Sequence, residues 1–493
     1  MTDQPTPRRV ALVAYFYPPL GGVAVARTLG FVRHLPEAGW QPVVIAPEHS
    51  TYPLRDERLI ADEHREVEVH RALSPEPGHL AAAARRALGV VRGPRGAIPA
   101  ASAPPSSASA SSSPGSGAAV SSVTASSEAP ANPSAGASRL GPWPGRLRRL
   151  VWFPDDQVGW LPFAVAAIVA AHRESPVDAV VSSASPVTAH LAAWIGSRLI
   201  GVPWVADFRD PWLDNPLETV SGFARWRRAT LEHAIVRGAT RSTFATRGLR
   251  DTYARRYPRL ARRFTVLPNG YERTPTPDAG AGTPTTPATT RRDGPARLVY
   301  AGSLYRPPEL ETFLAGVARF SDARPDAAAR LEVTFIGAVT AECRLVADRW
   351  LADARVARLV RFHGFVPRAD AIAAVGAADA ALTLLGEGPG MGVFVGAKLY
   401  DYLALDKQVL AMVPPGDARD VLAELGWGII ADPTPDAVAV ALGRLVDEPT
   451  PARRADPEGR YDRARIAAHL GALLDGLVGP RTGRGELPGG ANR

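Results

Sequence analysis

The chain has 493 residues, 46% of them hydrophobic, with 57 basic against 49 acidic side chains and a formal net charge of +8. That length holds two or three domains with sizeable cores. The one cysteine, Cys343, excludes an internal disulfide framework and a cysteine-rich zinc site, and no apolar stretch reaches the roughly 20 residues of a membrane span. The positive balance is compatible with nucleic acid, anionic lipid or a phosphorylated substrate, and selects none of them. The amino-terminal apolar run is short and ends in Pro18-Pro19. It lacks the layout of a secretory signal, so a cytoplasmic location is expected.

In chain order, "RVALVAYFY" predicts a strand over residues 9–17. "PPLGG" follows as a turn, and "VAVARTLGFVRHL" places Val25, Leu29, Phe31, Val32 and Leu35 near helical spacing. Strand, glycine turn and helix together open a nucleotide-binding unit, whose exposed N–H groups and helix dipole favour an anion. Gly21 and Gly22 let the backbone approach a ligand where a Cβ would collide. A tight turn without a ligand is the alternative, because the full G-x-G-x-x-G fingerprint is absent.

Residues 101–138 carry a single charge, Glu128, and almost nothing that could form a core. They read as a flexible insert. Further strands are expected at 42–46, 178–183, 203–208, 241–246 and 264–267. The stretch "TPTPDAGAGTPTTPATT" then reads as an interdomain linker. Beyond it, strands at 297–301, 331–336, 359–363, 379–384, 408–412 and 427–431 alternate with amphipathic helices. Apolar strands separated by such helices argue for parallel sheets covered on both faces. The fold class is therefore α/β, with two tandem Rossmann-like, doubly wound domains facing a cleft. The predicted boundaries are 1–273, with an insert at about 98–138, a linker at 274–295, a second domain at 296–460, a terminal helix at 461–477 free to pack back on the first domain, and a frayed tail at 478–493.

The second half holds the most telling loop, "LLGEGPGMGVFVGAKLYDYLALDKQVLAMV" (384–413). After a strand, Gly386, Gly388, Gly390 and Gly392 alternate, and a helix starts near Gly396–Lys398. A lysine in a first helical turn opposes the dipole, and a bound diphosphate reverses that penalty. Asp401 lies one turn on, at i, i+3 from Lys398. A plain surface Lys–Asp pair is the alternative.

"FYPPLGGVAVAR", "VVSSASPVTAH", "PWVADFRDPW", "VLPNGYE", "YAGSLYRPPE" and "AKLYDYLALDKQVLA" occur in this order. Together they resemble the family 4 glycosyltransferases, in the subgroup bearing D-F-R-D-P-W, over about residues 8–275 and 296–477. The resemblance implies a GT-B fold, an acceptor-side first domain and a second domain binding a nucleotide-diphosphate-sugar. It further implies retention of anomeric configuration, no metal, and no cofactor beyond the donor substrate. It places Gly21, Gly22 and Arg27 of the first turn, with Ser303 of "GSLYR", beside the donor. Arg306 and Lys398 are the expected cations at the departing diphosphate, where fixed charge lowers the barrier. Arginine suits the first position because its planar fork grips phosphate oxygens.

The family's two glutamates, spaced E-x7-E, fall here on Val393 and Asp401. Asp401 still accepts hydroxyl bonds, whereas Val393 offers no side-chain polar atom. Glu387 is a candidate substitute, and backbone at Gly390, Gly392 and Val393 is expected to contact the sugar. In "DFRDPW", Asp207, Arg209 and Asp210 sit at the cleft edge. Arg209 and Asp210 align with the His-Asp pair of many relatives, and arginine there positions or stabilises charge rather than acting as a base. An internal Asp–Arg bridge is the alternative. "SSASP" (182–186) is read as capping the helix that begins near Val187, His190 and His233 as helix-surface or packed histidines, and Trp160 as a packed residue.

The expected partners are a nucleotide-sugar donor and a glycan or lipid-linked acceptor, with no nucleic acid. "RLGPWPGRLRRLVWF" (139–153) and "FARWRRATLEHAIVRGATR" (223–241) mix arginine with aromatic residues. Such segments either lie in a bilayer interface, at the inner face of the plasma membrane, or form solvated helix faces with snorkelling arginines. A sugar-nucleotide epimerase and a catalytically silent nucleotide-sugar-binding or scaffold protein remain open. A nicotinamide oxidoreductase is disfavoured by the missing glycine fingerprint.

Overall fold

The computed structural model describes residues 7–52, 55–56, 59, 67–77, 152–218, 220–273, 294–448 and 455–479. Seven strands form the first sheet: β1 (Arg8–Val13), β2 (Trp40–Pro47), β3 (Glu68–Ala72), β4 (Ala179–Ala184), β5 (Trp204–Phe208), β6 (Arg241–Phe244) and β7 (Phe264–Val266). Their order is β3-β2-β1-β4-β5-β6-β7, and every pair is parallel. Among the described residues, five α-helices accompany them: α1 (Val23–His34), α2 (Leu161–Glu174), α3 (Thr188–Ile200), α4 (Gly222–Gly238) and α5 (Arg247–Arg256).

The second sheet holds β8 (Ala296–Ala301), β9 (Leu331–Ile336), β10 (Val360–Gly364), β11 (Ala380–Leu384), β12 (Gln408–Met412) and β13 (Ile429–Ala431), in the order β10-β9-β8-β11-β12-β13. It too is parallel throughout. Its longer helices are α6 (Pro307–Ala323), α7 (Ala341–Leu351), α8 (Arg368–Ala377), α9 (Ala397–Ala404), α10 (Asp417–Leu425) and α11 (Pro435–Asp447). Central strands such as β2, β5 and β12 are buried along nearly their whole length, as a sheet between two helix layers requires.

The strand order reverses at β1/β4 in one sheet and at β8/β11 in the other. Ligands of open α/β sheets bind beyond the strand ends at such switch points. The glycine turn after β1 and the glycine loop after β11 both lie there.

Two expectations shift in detail. The first strand stops at Val13 rather than running to residue 17. Tyr15 leaves the sheet to pack edge-on against Phe16 and Trp160, with ring centroids 5.4 and 5.6 Å away. The edge strand β3 was not legible at all, since "EVHRA" is mostly polar; Glu68 pairs with Arg9 of β1 and with His70.

The final helix, α12 (Arg463–Val478), returns to the first domain and packs on α1. Ile466, Leu470 and Leu474 join Val10, Leu12, Phe31 and Trp40 in one buried cluster. Gly30 and Gly471 permit the approach: a methyl at Gly30 would lie 2.7 Å from Arg463 Cδ, and one at Gly471 2.7 Å from Ala38 Cβ. The insert at about 98–138, the linker residues 274–293 and the tail from 480 lie outside the described residues.

Candidate functional site

Loops from the C-terminal ends of both sheets meet across the cleft. After β5, the "RDPWLDNP" loop faces the glycine loop that follows β11: a methyl at Gly390 would lie 3.6 Å from the Asp214 carbonyl and 3.7 Å from Pro216. Tyr305, after β8, feels the carboxylate of Asp210. Both side chains are solvent-accessible. Protein nonetheless walls them closely enough that desolvation raises both the Tyr305 hydroxyl and the Asp210 carboxyl, with Arg209 opposing the second shift.

The loop bearing Asp210 is held from behind. Glu232 of α4 is fully buried and accepts from Leu213 N (3.2 Å), Tyr253 (2.8 Å), Tyr257 (2.9 Å) and Arg256. Burial pushes its carboxyl up to about 7, against the bonds from the two tyrosines. The motif's own arginine completes the frame. Arg209 donates to Ala24 O (2.7 Å), Ala184 O (2.9 Å) and Ser185 O (2.9 Å). It thereby ties the start of α1 and the loop after β4 to the loop after β5, and no ion pair joins it to Asp210.

Arg27 and Asp207 form a buried pair, 7% and 1% exposed. Arg27 Nε and Nη2 reach the two Asp207 oxygens at 2.8 and 2.7 Å, and its remaining donors serve Leu267 O, Pro268 O and Asn269 Oδ1. Ser183 and Thr243 complete the Asp207 shell. Neither side chain has a donor or acceptor left for a ligand, so the binding role expected of them gives way to framing the loops.

Helix α3 is capped by Asp155, whose oxygens take Thr188 N (2.9 Å) and Thr188 Oγ1 (2.6 Å). The serines of "SSASP" do not cap it: Ser182 bonds His190 and Trp204, and Ser183 bonds Asp207. His190 is fully buried, and desolvation lowers its pKa to about 3. It is a neutral packed residue.

On the opposite wall, Lys398 stands in the first turn of α9. Its Nζ bonds the Tyr300 hydroxyl and lies 3.7 Å from that ring's centroid. Desolvation lowers it to about 7, and no carboxylate offsets the shift. The alternative, a surface Lys398–Asp401 pair, is not what forms; Asp401 is gripped by Arg368 through two bonds of 2.8 and 3.3 Å. Gly302 makes room for the lysine. It has φ +137°, and a methyl there would meet Lys398 Cε at 2.2 Å. The hydroxyl of Tyr300 also donates to Ser303 O (3.0 Å), linking Lys398 to the "GSLYR" loop.

Arg306 lies half-buried on that loop and is held through Nε by Glu309, a 4% exposed carboxylate in the first turn of α6. Glu309 Oε1 also accepts Gly386 N at 3.1 Å, joining the loops after β8 and β11. Its Oε2 is buried with no hydrogen-bond partner among the described residues. Glu387 and Gly388 are exposed beside it. Sequence reasoning missed Glu309, Tyr300, Arg368 and Glu232. Of these only Glu309 left a signal, an acid in the first turn behind Pro307-Pro308.

Val393 serves the domain junction. Its carbonyl accepts Thr246 Oγ1 (2.9 Å), and a methyl at Gly248 would lie 3.3 Å from its Cγ1. Beside it, Asp417 accepts Gly248 N at 2.9 Å. A hollow of about 410 Å³ flanks this junction, lined by Thr246, Arg247, Tyr400, Asp417 and Arg465 among others. It contains none of the residues expected to bind donor. Among the described residues, the His/acid group with metal-ligand proximity is Glu68, His70 and Glu174. It sits at the start of β3, where Arg9 already engages Glu68.

Two facing Rossmann-like domains with switch-point loops converging on a cleft are the arrangement of the GT-B fold. Solved structures match this fold over nearly the whole chain. Sucrose-phosphate synthase from Thermosynechococcus elongatus aligns with TM-score 0.54 at 16% identity, covering 95% of this chain and 99% of that one. HepE from Anabaena, solved in complex with UDP, aligns with TM-score 0.55 at 13% identity, covering 95% and 100%. A glycosyltransferase from Rickettsia africae gives TM-score 0.56 at 9% identity, covering 96% and 99%. Within the chain, residues 110–270 match the family model described as a glycosyl transferase 4-like domain. No curated protein sequence matches the chain.

Proposed function

We propose that the protein is a glycosyltransferase that moves a sugar from a nucleotide-diphosphate donor to a glycan or lipid-linked acceptor, with retention and without a metal. The observation that carries this reading is Lys398. A desolvated cation at a helix start, folded onto the Tyr300 ring and hydroxyl with no carboxylate partner among the described residues, is costly unless an anion completes it. A diphosphate does so. As the bond from sugar to diphosphate breaks, negative charge gathers on the leaving oxygens, and Lys398 with Arg306 stabilises it. Ser303, Gly390 and Gly392 offer close polar backbone, Glu387 reaches toward the sugar, and Asp401, set by Arg368, faces the ribose. Gly22, exposed on the opposite wall, leaves room there, whereas Gly21 is buried beneath Arg55 and Asp56. Asp210, the motif carboxylate open to the cleft, faces the reacting sugar, and Arg209 positions it.

A silent nucleotide-sugar-binding protein is the second reading. It is favoured by Val393, which stands where the family keeps a glutamate and is occupied at the domain junction. A thermal-shift panel of nucleotide-sugars tests both, because a ligand that binds only the folded state raises Tm by mass action. A donor that raises Tm and is turned over supports the enzyme; one that raises Tm with no turnover supports the silent protein. If none raises Tm, both fall.

The lysine makes donor binding pH-dependent. Its folded-state pKa of about 7 lies below the ordinary lysine value, and a bound diphosphate raises it again. A proton is therefore taken up on binding above about pH 7, and affinity falls as pH rises, by at most about tenfold per unit. Titration calorimetry with a nucleotide-sugar checks this. Lys398→Arg, permanently charged, is expected to flatten the profile.

A further inference from the structure

Helix α4 buries only its C-terminal half. Glu232, Ile235 and Val236 are inside, whereas residues 221–226 are all exposed. Phe223 and Trp226 are 64% and 61% exposed and stack on each other at 5.5 Å, with Arg227 5.8 Å over the Phe223 ring. The helix carries four arginines, and its single acid, Glu232, is the buried one. Its outward face therefore bears positive charge only. Arg225 and Arg228 offset Asp214 and Glu218. Arg227 has no carboxylate partner among the described residues and lies 3.9 Å above the Phe153 ring.

We infer that this end of α4 docks on an anionic lipid bilayer, with Phe223 and Trp226 as paired anchors and Arg227 against the headgroups. Exposed aromatic rings on an arginine-faced helix match the interface of a membrane, where the rings enter the acyl boundary and the guanidinium groups meet phosphate. Charge complementarity favours this occupant over a second copy of the chain, whose same face would bring like charges together. The helix starts directly after the loop whose Asp214 and Pro216 face Gly390 across the cleft. Docking there sets the cleft mouth beside the bilayer, within reach of a lipid-linked acceptor. The inference stands on the surface itself and does not need the catalytic reading.

Co-sedimentation of the full chain with phosphatidylcholine vesicles, with and without phosphatidylglycerol, tests it. Binding is expected only with the anionic lipid, and is weakened by salt. Phe223→Ser combined with Trp226→Ser is expected to cut vesicle partition by roughly tenfold or more. Arg227→Glu should weaken it on anionic vesicles as well. Thermal melting should be unchanged, since none of these side chains is in a core. Equal sedimentation with neutral vesicles, wild-type partition by the double variant, or a dimer in velocity sedimentation that the double variant abolishes would each overturn the assignment. Donor-induced thermal shifts in the same variants keep the outcome separate from the reading of the cleft.

Discussion

Replacing Lys398 by alanine is expected to lower turnover on the order of 100- to 1,000-fold while leaving the protein at least as stable. The two halves of that expectation have one cause. In the free protein the ammonium has lost water and gained only the Tyr300 hydroxyl and ring face, so desolvation holds its pKa down to about 7. Removing it relieves the folded state of a group it strains to charge. In the transition state the same cation meets the charge gathering on the diphosphate, in a site already short of water, where an electrostatic contact counts most. Gly302→Ala approaches the same result from the other side. Its methyl would overlap Lys398 Cε, and its backbone, at φ +137°, is one that alanine rarely adopts. Steady-state kinetics with the donor identified by thermal shift, alongside melting curves, decide the matter. Turnover unchanged in Lys398→Ala removes the lysine from the mechanism.

The layers of the fold were readable because parallel strands buried on both faces leave continuous apolar runs, as in "ALTLL" and "QVLAM". The glycine loops were readable because close backbone approach leaves no alternative residue type. What could not be read was pairing. Lys398 and Tyr300 are 98 residues apart, and Glu309 and Gly386 77 apart. Composition shows which residues carry charge and says nothing of which charges meet. Asp401 illustrates the limit. Local helical spacing favoured Lys398 as its partner, yet Arg368, 33 residues earlier on another helix, takes it. The edge strand β3 was hidden for a different reason: its side chains serve an ion pair and solvent, so no apolar alternation survives in "EVHRA".

The largest expected loss of stability follows from the same kind of hidden pairing, at Asp207. Its carboxylate is 1% exposed and takes four hydrogen bonds, two from Arg27 and one each from Ser183 and Thr243. Burial alone would raise this carboxyl. The Arg27 guanidinium, with the two hydroxyls, outweighs that and holds it below the ordinary aspartate value. Asp207→Ala leaves a guanidinium buried without its counter-charge and is expected to cost about 3–5 kcal/mol. That corresponds to a fall in melting temperature on the order of 10 °C. Arg27→Met should cost a similar amount, because it strands both the carboxylate and the carbonyls of Leu267 and Pro268. The double variant should be less damaging than the sum of the singles, since each single leaves a charge the other would have removed. The pH dependence follows from the depressed carboxyl: its contribution is complete above the unfolded aspartate value, about 4, and is lost as pH falls through the lower native one. Urea titrations of the four proteins at neutral and acid pH measure each term. Additive losses would show that the two side chains act separately, and would leave α1 and β5 without the tie that sets their ends at the cleft.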